Sequence, residues 1–209
     1  MRDEPVPELT VSGGDRALGQ VVADHPGALL AFRPSPASDL ARAVGLSAAG
    51  GVDHPTTEVA LDALRFASGE LAVNMVVIGT PPDRATRFTR PIDVELRVDD
   101  TPVSTTRATT IVLATGQYLR GLDVVPRGHP GDGRLEVYVF RLRPAERRAM
   151  RARLPSGTHV PHPRITARPG HHVELVAARP VVLEVDGEPR PPVRALEIEI
   201  VEHAYRLLV

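Results

Sequence analysis

The chain has 209 residues, 42% of them apolar but only 3% aromatic, so it can bury a core, and that core must be built from Val, Leu, Ile and Ala. A formal net charge of -1 excludes nucleic-acid binding by bulk charge. All 25 basic residues are arginine, which excludes Schiff-base chemistry and lysine contacts to phosphate, and the lack of cysteine excludes disulfides, thiolate catalysis and Cys-ligated zinc. No apolar run approaches the ~18 residues of a membrane span, and the opening MRDEPVPELT is acidic and proline-broken, unlike a signal peptide. A cytoplasmic protein without a transmembrane segment is expected.

Residues 9–12 form a short β-like run that ends at Gly13-Gly14-Asp15. Ala17, Leu18, Val21 and Val22 recur at helical spacing, and Pro26-Gly27 stops that helix. An apolar strand over 28–32 is broken by Arg33-Pro34-Ser35-Pro36. Ser38 is placed to cap a helix over 39–44, with Gly45 as its stop. Strand, helix, strand, helix is the pattern of a parallel α/β layer, here too short to be a complete domain. From about Thr57 the pattern changes. Strands are predicted over 71–78, 92–98, 107–114, 135–140, 173–177, 181–185 and 196–200, with alternating side chains in 92–98, 135–140 and 196–200 and the spacing of an antiparallel sandwich or barrel. The exception is PAERRAMRAR at 144–153, a helix with proline at its start and a basic face open to two readings: peripheral contact with anionic lipid head groups of a membrane, or, as the better of the two, a solvated face. The expected fold class is α+β, with an incomplete α/β layer over 1–50 and a larger β-rich domain over 51–209 whose last residues pack back on the first. An incomplete layer leaves strand edges uncovered, so a homodimer or a complex is expected.

Four acidic residues stand at strand ends or turns: Asp15, Asp132, Asp186 and Glu188. Carboxylates there suit Mg2+, a hard cation that takes oxygen ligands, or a base that removes a proton from a hydroxyl. Asp132-Gly133 and Asp186-Gly187 also have the ordinary chemistry of tight hairpin turns. Gly13-Gly14-Asp15 before a helix can bring backbone N–H groups near a phosphate. His159, His162, His171 and His172 lie in proline-rich loops, lack the i, i+4 spacing of a helical metal site, and read as surface residues. Asn74, inside a predicted strand, is either a satisfied core amide or a contact to the neighbouring domain.

In order, the chain reads GGD, DLARAVGL, NMVVIG, ATGQY, PRGHPGDGRLEV and VDGE. That succession resembles the diacylglycerol kinase and sphingosine kinase-like lipid kinases from about Glu8 to the end. The strongest part is 111–139 followed by 185–188. The resemblance implies an α/β nucleotide-binding domain ahead of a β-rich domain, and transfer of the γ-phosphoryl of ATP, with Mg2+, to a lipid or other hydrophobic hydroxyl compound. It makes Gly13, Gly14, Asp15, Ser38 and Arg42 nucleotide-loop residues, with Asp39 and Arg42 matching the family's GTGNDFAR stretch. It makes Asp132, Asp15 and Glu188 metal-organising, and it places acid/base roles on Asp186 and Glu188.

The departures are specific. The sequence opens where the family's third strand would end, so the early strands and helices of the family's nucleotide domain are expected to be missing from it. GGDGT reads Gly13-Gly14-Asp15-Arg16-Ala17, and GTGN reads Ser35-Pro36-Ala37-Ser38, where Pro36 removes a backbone donor. Phosphoryl transfer depends on positioning and charge stabilisation, so ATP binding is expected to be impaired. Three readings follow: a shortened active lipid kinase, a non-catalytic relative that binds a lipid or partner, and an unrelated β-sandwich interaction domain. The ordered motifs disfavour the third; the altered loops favour the second for this chain alone, and the ancestry favours the first.

Overall fold

The computed structural model describes residues 5–46, 57–103 and 107–209. The first four residues and the expected domain boundary at 50–51 lie outside them. The elements in chain order are β1 (Leu9–Gly13), α1 (Asp15–Asp24), β2 (Leu29–Pro34), α2 (Asp39–Ala43), β3 (Glu58–Phe66), β4 (Leu71–Ala72), β5 (Met75–Gly79), β6 (Ile92–Val98), β7 (Thr101–Val103), β8 (Arg107–Ala108), β9 (Thr110–Ala114), β10 (Tyr118–Leu119), β11 (Leu122–Asp123), β12 (Leu135–Phe140), α3 (Arg147–Arg153), β13 (Ile165–Gly170), β14 (His172–Val185) and β15 (Glu188–Leu208). The α+β class holds, with a small α/β layer attached to a large sheet.

The two longest strands build the sandwich because each changes partners along its length. The first part of β14 pairs with β6, its last residues pair with β5, and register shifts between Val176 and Leu183 let it bend from one to the other. β15 pairs with β14, then with β3, and its end at Arg206–Leu208 runs parallel to β2. The chain end therefore stitches the α/β layer to the β domain. Residues 173–177 and 181–185, separate strands in the sequence reading, are one strand, and 196–200 is the middle of a 21-residue one. β3 and β13 carry no clean alternation and escape the sequence pattern. β3 is buried at four consecutive positions, and β13 contains Pro169.

Three apolar clusters result. One fills the sandwich, with Ile78, Ile111, Val137, Leu175 and Ile198. A second lies under α1 and α2, with Leu18, Leu30, Leu40 and Leu207. The third, with Val77, Val112, Tyr138 and Phe140, covers the other face of β5, β9 and β12. These three strands are buried on both sides, so every residue of β12 is buried and the alternation expected for 135–140 is absent. α3 starts at Arg147, three residues later than its proline predicts, and its face is not simply solvated. Arg147 is 3% exposed and donates to the carbonyls of Leu142, Thr86 and Thr89.

α1 begins at a bend where Gly13 has φ 134°, and it buries Leu18, Gly19 and Val22. An added Cβ on Gly19 would stand 3.2 Å from the Leu71 carbonyl, so glycine lets the helix approach β4. α2 is capped as the sequence predicts: Ser38 Oγ accepts from Ala41 N at 3.0 Å and donates to Asp15. Ser38→Ala is expected to cost about 1–2 kcal/mol, as for other lost N-caps. Urea unfolding measures this; an unchanged midpoint would remove the cap from the account.

Candidate functional site

The expected strand over 71–78 is interrupted at Val73-Asn74, and the interruption makes the site. The turn after β14 swings Asp186, at φ 49°, beneath the break. Its carboxylate accepts from Val73 N at 2.9 Å, Asn74 N at 3.0 Å and Met75 N at 2.9 Å, while its own N–H donates to Met75 O at 2.8 Å. The donors that a continuous strand would have given to a neighbour go to one side chain instead.

Asp15 makes a matching junction in the α/β layer. Its carboxylate accepts from Ser38 Oγ, from Asp39 N at 3.0 Å and from Leu40 N at 3.1 Å, fastening the start of α1 to the start of α2. Asp39 continues outward by accepting from Arg120 N and from Gly121 N at 2.7 Å in the β10–β11 hairpin. Arg120 in turn pairs with Asp83, at 2.7 Å, and with buried Glu184.

Between these junctions lies a cleft of about 510 Å³, lined among others by Gly14, Asp15, Arg16, Arg120, Asp186 and Glu188. Burial pushes the Asp186 carboxyl up to about 7 against the pull of the Met75 N–H, with the charge of Asp15 adding to the rise. Burial likewise raises Asp15 to about 6, opposed by the Ser38 and Leu40 hydrogen bonds. Behind them the Tyr205 hydroxyl is fully buried without a hydrogen-bond partner among the described residues, and its pKa is raised by burial and by the charges of Asp186, Asp15 and Asp62. At the mouth Arg16 pairs with Glu188 across 172 residues of sequence.

Of the candidate residues singled out in the sequence, Gly14, Asp15, Asp39, Asp186 and Glu188 line this one cleft. Gly13 and Ser38 stand directly behind it, as the bend before Asp15 and as Asp15's partner. Asp132 is not among the lining residues. It accepts from Arg134 N at 3.1 Å within its own turn, and the adjoining Gly133 N donates to Asp62 at 2.8 Å. Arg42 lies over the Tyr118 ring, 5.4 Å from its centroid, outside the cleft. Asn74 is a buried amide within the β-rich part and not a contact to the neighbouring domain: its Nδ2 donates to Tyr118 O at 3.0 Å, while its Oδ1 has no hydrogen-bond partner among the described residues.

His159 is not a surface residue. It is 1% exposed, stacks on Phe140, and its Nε2 lies 3.1 Å from Val124 O. Arg120, Asp83, Glu184 and Tyr205 escaped the sequence reading. A lone arginine in a turn and a tyrosine in a strand carry no motif, and only the pairing of distant elements brings them here.

The acids do not fit Mg2+ as they stand. Among the described residues no group of three or more His, Asp or Glu is arranged to hold a metal ion. Asp15 and Asp186 direct their oxygens at N–H and O–H donors, and Glu188 is engaged by Arg16. Among the described residues, no helix is long and apolar enough to cross a membrane.

Comparisons with known proteins follow the same geometry. No curated protein matches the sequence. In fold the chain is similar to a diacylglycerol kinase from Bacillus anthracis str. Sterne, with TM-score 0.78 and 16% identity over 96% of this chain and 77% of that one. It is more distantly similar to an NAD kinase from Archaeoglobus fulgidus in complex with ATP, with TM-score 0.52 and 15% identity over 97% of this chain and 78% of that one. Yeast NADH kinase complexed with NADH gives TM-score 0.51 and 14% identity over 97% of this chain and 61% of that one. The model of the YegS C-terminal NAD kinase beta sandwich-like domain matches residues 47–209, most of the chain, and the protein belongs to that family.

Proposed function

We propose that this chain is a kinase-family binding module that holds the hydroxyl-bearing polar end of a lipid-like compound in the Asp15–Asp186 cleft without transferring phosphate to it. The observation that carries this reading is the commitment of the cleft acids. Asp15 and Asp186 act as acceptors for backbone donors of their own chain, and Glu188 is held by Arg16. A phosphotransferase needs acids free to organise a metal-bound phosphate and donors free to receive it. Here Arg16 stands beside the glycine bend, where the related lipid kinases have glycine. A hydroxyl needs less: one acceptor and a cleft wall.

The test is nucleotide binding. ATP with Mg2+ at millimolar concentration is expected to give no thermal shift. A clear shift that Asp15→Asn abolishes would overturn the non-catalytic reading.

A second reading, active transfer from ATP to a lipid hydroxyl, draws on one observation. A carboxyl raised to about 7 suits a general base at neutral pH, and Asp186 is such a group. Its test is label transfer from γ-labelled ATP, with Mg2+, to diacylglycerol vesicles. Transfer lost in Asp186→Asn would establish it.

A further inference from the structure

A second cavity, about 500 Å³, lies at the other end of α1, where the α/β layer meets the β domain. It shares no lining residue with the Asp15–Asp186 cleft and stands independently of how that cleft is read. Its size falls in the range of small-molecule sites, roughly 300–1,000 Å³. Val22, Pro26, Leu71 and Val201 give it apolar walls.

The end of α1 supplies acceptors. The last carbonyls of a helix lack donors within it and carry the negative end of its dipole. The usual remedies are missing here. The last turn of α1 has no basic residue. The residue four positions after Val22 is Pro26, which has no N–H. The residue four positions after Ala23 is Gly27, whose N–H donates instead to Ala204 O at 2.8 Å. The carbonyls of Val22 and Ala23 therefore have no donor among the described residues, and both residues line the cavity.

A bulge in β15 adds a carboxylate. The register of β15 against β3 slips between Val201 and Tyr205, and His203 takes φ 50°. Buried Asp62 braces this bend, accepting from His203 N at 2.9 Å and from Gly133 N at 2.8 Å. Glu202 and His203 are exposed on the lining, and the Glu202 carboxylate makes no hydrogen bond or ion pair with the described residues. Arg65, also on the lining, is neutralised by Glu199, 2.6 Å from its Nη2. Donorless carbonyls, a free carboxylate and apolar walls match a positive group that donates and never accepts, and an ammonium with three N–H donors is such a group.

We infer that the cavity between the end of α1 and the β15 bulge binds a small primary amine as its ammonium ion, with the charge held by the Val22 and Ala23 carbonyls and Glu202 and the apolar body against Leu71 and Val201.

Benzylamine, charged at neutral pH, and its neutral counterpart benzyl alcohol are titrated at millimolar concentration into the full chain, and backbone amide NMR shifts are followed. Benzylamine is expected to bind saturably, with the shifts centred on Ala23, Gly27, Gly69 and residues 201–204. Benzyl alcohol is expected to bind at least about tenfold more weakly, the worth of a charge-assisted hydrogen bond. Glu202→Gln, a conservative change at an exposed position, is expected to weaken benzylamine about tenfold and to leave benzyl alcohol unchanged. No saturable shift with benzylamine, shifts centred elsewhere, equal affinity for benzyl alcohol, or undiminished benzylamine affinity in Glu202→Gln would each overturn the assignment.

Discussion

Asp186→Ala is expected to lower the melting temperature by about 10 °C, on the scale of 2–4 °C per kcal/mol for a chain of this size. The substitution strands the N–H groups of Val73, Asn74 and Met75 at the break between β4 and β5. Each unsatisfied buried donor costs about 1–3 kcal/mol, so the loss for three is on the order of 3–9 kcal/mol, with the lower half expected where water reaches the break. A domain's whole stability is about 5–15 kcal/mol, which makes this a large fraction. Calorimetry on the purified variant reads it directly. A shift of only a degree or two would mean that water replaces the carboxylate and that the break is not held by Asp186.

The same side chain gives a pH signature. Its folded pKa is raised from 3.8 to about 7, and that of Asp15 from 3.8 to about 6. Between those limits the folded chain holds more protons than the unfolded one. The contribution is therefore complete below about 3.8 and is lost as pH rises through about 7 for Asp186 and about 6 for Asp15. A tenfold difference in proton affinity between the folded and unfolded chain corresponds to about 1.4 kcal/mol. Asp186→Asn cannot ionise, so its stability relative to wild type is expected to improve from about pH 4 to about pH 7 and then to level off. A difference that stays constant across that range would show that the buried carboxyl does not titrate there.

The second large effect is expected at Arg120. Its guanidinium holds Asp83 and Glu184, whose side chains are 17% and 5% exposed. Removing one member of a buried ion pair leaves an uncompensated charge and costs about 3–5 kcal/mol. Arg120→Gly is the appropriate variant, because Arg120 has φ 52°, a conformation that glycine adopts freely, so the guanidinium is tested without backbone strain. The expected loss is about 3 kcal/mol, at the lower end because Arg84 Nη1 remains 3.9 Å from Glu184. Adding Glu184→Gln to Arg120→Gly is expected to recover part of the loss in urea unfolding. If the double variant is no more stable than the single one, the pair does not behave as a buried charge couple.

Much of the local structure was legible from the residues alone. The Gly13-Gly14-Asp15 bend, the Ser38 cap and the alternation of 92–98 each follow from chemistry within a few positions, and each forms as read. The acids of the cleft were legible as acids at turns. Their employment was not. The apolar run over 71–78 gives no hint of a break at Val73-Asn74, because the cause is a carboxylate 112 positions further along the chain from Asn74. The burial of β12 on both faces, and of Arg147 and His159, likewise depends on which elements cover them.

By itself, then, the sequence determined the element types, the order of motifs that marks the family, and an all-arginine, cysteine-free chemistry. These depend on side-chain identity and on spacing within one helix or strand. Only the tertiary structure decided which acids meet: Asp15 with Asp186 and Glu188 in one cleft, and Asp132 in a turn of its own. It also decided that Arg16 closes on Glu188 and that Arg120 joins Asp83 to Glu184. The physical reason is register. Where β14 bends from β6 to β5, and where β15 passes from β14 to β3 and β2, is set by the packing of three cores together, and no short stretch of the chain encodes it.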